Sequence, residues 1–388
     1  MKSDLPDTDQ DVESVKPRQL KRRIDSRDKT AILDVRNRND FEQWRLEGEN
    51  LEAVNIPYFE FLDGEIEELV EKVPENPVVL CAKGESSEYI AALLKQNGID
   101  AKHLEDGMYG WAGIYEKHRI NEEPLIFQYQ RPSSGCLGYM VISEGQAAVI
   151  DPLRAFTERY SQDAEKHGAQ IKYVLDTHVH ADHISGLREL AENTDAEPVM
   201  SEKAVERGVT YSNKLETVQD GDRLAIGETE IEVIETPGHT TGMTSYKVGN
   251  VVFTGDGLFT ESVARPDLEE GEAGAEKAAK LLYNSLHDKI LGLEDQTVVA
   301  PAHFSAAAEV GENNAYIREL GDLKHSMEAL GMEKQEFVRF VVSDMPPRPA
   351  NYEEIIETNL GVKQQSDEQA FELELGPNNC AASKDSMT

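Results

Sequence analysis

The segment Thr177-His178-Val179-His180-Ala181-Asp182-His183 sets three imidazoles and one carboxylate within six positions. Neutral imidazole nitrogen and carboxylate oxygen suit first-row divalent ions such as zinc and iron. A lone histidine is ordinary, but four candidate donors this close together point to a metal. Three more follow one grammar of apolar strand, turn and metal-competent side chain. They are His239 after Val233-Ile234, Asp256 after Val251-Val252-Phe253, and His303 after Val298-Val299-Ala300. Singly, Pro-Gly and Gly-Asp-Gly are turn signals; in series they predict a metal centre. A second reactive locus is Cys81, which follows the apolar Pro77-Val78-Val79-Leu80 and precedes the loop Ala82-Lys83-Gly84-Glu85-Ser86-Ser87. A strand, tight loop and helix start aim several backbone N–H groups at one point. That favours an anion there, here the nucleophilic thiolate.

The elements that must position these groups are legible as alternating patterns. Pro17 to Asp25 reads as a helix, Ala31 to Arg36 as a strand, Leu62 to Lys72 as a helix, and Glu88 to Lys95 as the helix behind Cys81. Alternating strands and helices over this first stretch predict a small α/β domain with a parallel sheet. Residues 112–124 read as a linker. Strands then follow at Leu125 to Tyr129, Leu137 to Ile142, Ala147 to Ile150 and Ile171 to Leu175, the last delivering the histidine-rich turn. A helix at Ser185 to Asn193, strands at Thr229 to Ile234 and Thr244 to Val248, a helix at Leu281 to Ile290 and a strand at Thr297 to Ala300 complete the pattern. Strands, a helix and strands again predict two packed sheets with helices outside.

The 388 residues allow two to three domains. The formal charge of -35 repels nucleic acid and anionic membrane surfaces, so neither is an expected partner. The acidic excess is spread along the chain, and high salt would screen its self-repulsion, which points to a salt-rich, halophilic cytoplasm. Cys81, Cys136 and Cys380 form no paired framework, and Met1 to Gln19 is polar and acidic, so a reducing cytoplasmic setting is expected. Cys136, in Ser134-Gly135-Cys136-Leu137-Gly138, reads as a small buried residue near a strand start, and Cys380 as structural. Residues 1–14 read as an acidic disordered leader.

From Leu33-Asp34-Val35-Arg36 through the Cys81 loop to Gly107-Met108-Tyr109-Gly110-Trp111, residues 15–120 resemble the rhodanese family of sulfurtransferases. The resemblance implies that Cys81 carries a persulfide sulfur in a cradle formed by Ala82, Lys83, Gly84, Glu85, Ser86 and Ser87. Ser86 stands where many members have Arg. Losing that planar cation weakens the case for thiosulfate as donor, while a small persulfide is less affected.

Residues 121–388 resemble the metallo-β-lactamase superfamily, with the match over about 125–305 and a C-terminal extension from about 306. This implies an α+β αββα sandwich with a metal site at one edge of the sheets. In the family's two-metal hydrolases, positions matching His178, His180 and His239 hold one ion. Those matching Asp182, His183 and His303 hold the other, with Asp256 bridging. Two branches compete. The glyoxalase II branch is a metal-dependent thioester hydrolase of the hydroxyacylglutathione type, implying one or two Zn2+ ions. The persulfide dioxygenase branch uses one Fe(II) ion on His178, His239 and Asp256 to oxidise a thiol persulfide to sulfite. There His180, Asp182, His183 and His303 become hydrogen-bond partners that orient the ligands. The fused sulfur-transfer module favours the dioxygenase, because tethering raises the effective concentration of a shared persulfide. So do Arg265-Pro266-Asp267 and the tail segments Met345 to Tyr352 and Leu375 to Cys380, which resemble that lineage. The expected partner is a small thiol persulfide, and homo-oligomerisation stays open.

Overall fold

The computed structural model describes residues 11–63, 66–210, 215–305, 307–311, 313–343, 345, 348–349 and 351–376. Two compact units emerge, one ending at Ile114 and the other running from Tyr115 to Glu374. Residues 1–10 of the expected leader, Cys380, and parts of both tail segments lie outside the described residues. The end of that leader is ordered, because Ser14 and Val15 pair with His103 and Leu104 and Val15 is buried.

The first unit has strands β1 (Ser14–Val15), β2 (Thr30–Asp34), β3 (Leu51–Asn55), β4 (Val78–Leu80) and β5 (Lys102–Leu104). They form an all-parallel sheet in the order β1-β5-β4-β2-β3. Its helices are α1 (Pro17–Asp25), α2 (Arg38–Gln43), α3 (Tyr58–Asp63), α4 (Ile66–Val70), α5 (Glu85–Gln96) and α6 (Gly107–Ala112). Successive strand residues face opposite sides. Leu33 and Val79 therefore pack with Ile90 and Leu94 of α5, while Ile32, Val78 and Leu80 pack with Leu20, Met108 and Trp111. This two-sided burial is what makes the strands read as continuous apolar runs. It leaves Cys81 at the C-terminal end of central β4, where the chain turns into α5.

The second unit starts one strand earlier than the linker reading allowed. Strand β6 (Glu116–Asn121) pairs antiparallel with β7 (Leu125–Arg131), so residues 116–121 are the edge of a sheet. Its mostly polar Glu-Lys-His-Arg-Ile-Asn sequence suits an edge and offers only Ile120 as an apolar signal. The sheet continues with β8 (Cys136–Ser143), β9 (Gln146–Ile150), β10 (Gln170–Leu175), β11 (Glu197–Ser201) and β12 (Glu216–Val218), in the order β12-β11-β10-β9-β8-β7-β6. A six-stranded sheet follows: β13 (Arg223–Ile226), β14 (Thr229–Glu235), β15 (Thr244–Val248), β16 (Val251–Gly255), β17 (Val298–Pro301) and β18 (Arg318–Glu319).

The two sheets share a core of Tyr139, Val141, Ile150, Leu175, Ile231, Val233, Tyr246 and Phe253. Met140 and Ile142, one residue out of phase on β8, face outward onto α7 (Thr157–Lys166) and α8 (Leu187–Thr194). After the short α9 (Glu202–Glu206) come α10 (Gly271–Ser285), α11 (Leu320–Ser326) and α12 (Lys334–Ser343), which cover the second sheet through Leu282, Leu323 and Phe337. The layering is helix, sheet, sheet, helix. Last come α13 (Tyr352–Asn359) and α14 (Asp367–Leu373), the latter started by a Ser366 capping box. No helix of the described residues is long and apolar enough to cross a membrane.

Candidate metal centre and thiol cradle

Strands β9, β10, β14, β16 and β17 end at Ile150, Leu175, Glu235, Gly255 and Pro301. The turns after them bring the predicted donors to one edge of the sandwich. Asp151 anchors the first turn: its carboxylate accepts from Thr177 N at 2.7 Å and Thr177 Oγ1 at 3.0 Å. That hydroxyl, its proton committed to Asp151, accepts from His178 Nδ1 at 2.9 Å, which leaves His178 Nε2 with a lone pair. His239 Nδ1 donates to Arg265 O at 3.0 Å, which frees its Nε2 in the same way. Both ε nitrogens converge on Asp256 Oδ2, at 3.7 Å from His178 and 3.6 Å from His239. His178 Nε2 and Asp256 Oδ2 are buried with no hydrogen-bond partner. Unpaired buried polar atoms are costly, and these aim at a common point. Burial pushes both imidazoles below their ordinary value, with neighbouring His180 adding to the effect at His178. They are therefore held neutral, the form that binds a metal. His178, His239 and Asp256 fit one divalent ion.

The other four donors divide. Asp182, His183 and His303 come together beside the triad, and His180 turns away. His180 Nε2 donates to Asp151 Oδ1 at 3.1 Å, with Asp176 Oδ1 at 4.0 Å. Burial pushes Asp176 up to about 7. Asp182 Oδ2 lies 2.6 Å from His303 Nε2 and 3.3 Å from His183 Nδ1, while His303 Nδ1 donates to Asp256 Oδ1. Burial disfavours an imidazolium at His303, but Asp182 and Asp256 outweigh it and hold the ring well above its ordinary value. His303 is thus a charged bridge from Asp182 to the carboxylate of the triad.

The structure gives Cys136, expected as a small buried residue near a strand start, a further place. It is buried as expected, with its Sγ 3.3 Å from Asp182 Oδ2, making a donor cluster with Asp182, His183 and His303. Main-chain stitches set it there: Leu137 N donates to Ala302 O at 2.7 Å, and Phe304 N to Gly135 O at 3.0 Å. Gly135 has φ +75, and a Cβ there would lie 2.2 Å from Phe304 O, so the glycine before Cys136 was the available clue. Arg265 and Asp267 form a buried two-point pair at 2.7 and 3.0 Å, fixing the segment whose carbonyl orients His239.

In the first unit Cys81 Sγ accepts from Gly84 N at 3.0 Å and lies 3.3 Å from Ser87 Oγ. Gly84 takes φ +95 to make this turn. Gly84 and Ser87 are buried, whereas Ala82, Lys83 and Glu85 are exposed and Ser86 is half-buried, so the loop closes over the sulfur from one side. Lys83 Nζ sits 5.6 Å above the Tyr109 ring. Asp34 and Arg36 form a buried ion pair at 2.6 Å.

A rhodanese-like domain model matches residues 16–114, and a metallo-beta-lactamase superfamily model matches residues 133–303. The chain belongs to the metallo-beta-lactamase superfamily and carries a rhodanese-like domain ahead of that fold. Among its relatives is the human mitochondrial persulfide dioxygenase ETHE1, 30% identical over 186 residues, 46% of this chain and 68% of that one. The cytoplasmic hydroxyacylglutathione hydrolase of Arabidopsis thaliana is 31% identical over 238 residues, 57% of this chain and 81% of that one. A beta-lactamase hydrolase-like protein of Agrobacterium fabrum is 30% identical, and the match covers 56% of this chain and about half, 55%, of that relative. Among solved structures, ETHE1 from Myxococcus xanthus superposes with a TM-score of 0.53 at 29% identity, covering 61% of this chain and 98% of that one.

Proposed function

We propose that the second unit oxidises a low-molecular-weight thiol persulfide to sulfite, and that Cys81 of the first unit receives or delivers the sulfane sulfur. The carrying observation is the triad His178, His239 and Asp256, a two-imidazole, one-carboxylate set with two buried donor atoms left unpaired. Such a set suits Fe(II) and leaves positions for substrate and O2. The overall change balances as RSSH + O2 + H2O giving RSH, sulfite and two protons, with the outer sulfur losing four electrons to O2. An Fe(II) ion in the triad would supply the binding and reduction of O2. Thr177 and Arg265 O hold the two imidazoles with their ε nitrogens inward, and the charged His303 holds Asp256. In the cradle, Gly84 N would stabilise a sulfur anion on Cys81, while Ser87 Oγ donates to Gly84 O at 2.9 Å and holds the loop.

Support for iron over zinc comes from the second cluster. Both ring nitrogens of His303 are taken up by Asp182 and Asp256, which leaves that ring no lone pair for a second ion, although Asp182 Oδ1 and His183 Nε2 stay buried and unpaired. The opposing observation is that all four of its donors are in place, and the likeness to a hydroxyacylglutathione hydrolase extends over 81% of that enzyme. Metal analysis of protein purified in high salt without added ions, with oxygen uptake on glutathione persulfide, separates the readings. One iron per chain and oxygen consumption are expected. Two zinc ions with thioester cleavage and no oxygen uptake would replace this reading with the hydrolase. Cys81→Ser should abolish sulfur transfer and spare oxygen uptake. The small persulfide as partner, the absence of nucleic-acid and membrane partners, and the salt-rich cytoplasm are part of the same proposal.

A further inference from the structure

The turn that carries His180, Asp182 and His183 is irregular backbone, and its polar groups need partners. They find them far away in sequence, on the last two helices. Asn359, the final residue of α13, donates through Nδ2 to His180 O at 2.9 Å and to His183 O at 2.8 Å, and its Oδ1 accepts from Ser185 N at 2.9 Å. Glu374, just past α14, accepts from Ile184 N at 2.7 Å through Oε1, while Oε2 pairs with Arg131. Arg131 is fully buried, its guanidinium 5.5 Å from the Phe156 ring and 4.9 Å from the Phe371 ring. Ile184 also packs on Ile355 and Ala370 of the same helices. Four main-chain groups of one short turn are thus taken up by two side chains of the C-terminal extension.

We propose that Asn359 and Glu374 are positioning residues for the metal centre, and that the C-terminal extension is a clamp on its donors. The route from clamp to ion is continuous. Asn359 fixes the carbonyls on both sides of Asp182, and Asp182 Oδ2 holds His303 Nε2 at 2.6 Å. His303 Nδ1 holds Asp256 Oδ1, and that bond turns Oδ2 toward His178 and His239. Loosening the turn therefore lets the carboxylate of the triad rotate. The coupling is reciprocal by linkage: a loaded metal must tighten α13 and α14 by the same free energy. This inference rests on the metal-binding reading of the triad, and not on which reaction the metal performs.

The test is Asn359→Asp in the full chain. The substitution keeps shape and the acceptor for Ser185 N, but removes both N–H donations and faces two carbonyl oxygens with a charge. Affinity for Co2+ is measured by chelator competition on the folded fraction, with the absorption bands of the bound ion as a second readout. Losing a direct partner of a ligand lowers metal affinity by about 10–100-fold, and Asn359 acts through Asp182 and His303, so the fall set for it is at the lower end, about 10-fold. That fall, together with altered cobalt bands, is the expected result. In the unaltered protein, metal loading should also slow amide exchange across residues 351–374. A purely structural role predicts a lower melting temperature with unaltered affinity and bands, and that result would overturn the clamp. If Asn359→Asp does not fold, Glu374→Gln decides on the same readouts. Cobalt binding by no form of the chain would instead remove the metal reading, and the clamp with it.

Discussion

Replacing Gly107 by Ala should separate the two chemistries of this chain. Gly107 opens α6 at φ +57, where its Cα faces the backbone of the sulfur-bearing loop. A Cβ there would lie 2.2 Å from Cys81 O, 2.9 Å from Cys81 C and 3.0 Å from Ala82 C. Ordinary carbon–oxygen contact is about 3.3 Å, so the loop must retreat by roughly 1 Å. The left-handed backbone costs alanine about 1–2 kcal/mol. The bonds from Met108 N to Cys81 O, 2.9 Å, and from Tyr109 N to Ala82 O, 3.0 Å, are stretched together, at about 1 kcal/mol each. The total is about 3–4 kcal/mol against the first unit. A displacement of that size at a reacting atom costs about 100-fold in rate. The assay is the rate at which Cys81 gains one sulfur, read by intact mass, with metal content and oxygen uptake measured on the same sample. Loading at the unaltered rate would show that the docking of α6 does not shape the cradle. A parallel fall in oxygen uptake would break the two-site account.

Two further outcomes follow from the second unit. His239→Ala leaves a two-donor set with a cavity beside Arg265 O, and metal retention after dialysis should fall at least 100-fold, the upper scale for merely outer partners; retention of a full equivalent would place the ion elsewhere. Acid unfolding should report on Asp267. Burial raises its carboxyl, but Arg265 and Arg348 outweigh burial and hold it below the ordinary carboxylate range. A depressed carboxylate contributes stability that is present above its unfolded value of about 3.9 and lost as pH falls toward the folded one. Asp267→Asn should therefore lower the urea midpoint at pH 6, with the gap to the unaltered protein closing below about pH 4. A gap independent of pH would assign the effect to packing.

The parts of this centre that could be read from the sequence are those where chemistry sits on a strong local signal. His178, Asp256 and His303 each follow a buried apolar strand, His239 follows the alternating Thr-Glu-Ile-Glu-Val-Ile-Glu, and the strand-loop-helix around Cys81 is equally plain. What escaped is set by contacts between distant segments. His178 and His180 are two residues apart and of one type, yet only the path of the turn sends one to the triad and the other to Asp151. Strand β11 begins Glu-Pro and β6 has Ile120 as its one apolar residue, so neither carries the apolar alternation that marks a strand. Helix α10 starts at Gly271, ten residues before its apolar stretch, because its first turns present Glu272, Glu276 and Lys277 to water. Asn359 and Glu374 are unremarkable in sequence, and their targets on the donor turn lie 174 to 190 positions earlier.

The pair of main-chain bonds joining Gly135 and Leu137 to Phe304 and Ala302 ties one sheet of the sandwich to the other at the very mouth where the donors meet. Separating the layers and dispersing the donors are consequently one event. An ion that binds only the closed form adds about 4 kcal/mol at a thousandfold excess over its dissociation constant. Without such an ion the layers should part more often, so a protease should cut the metal-free chain faster than the loaded one.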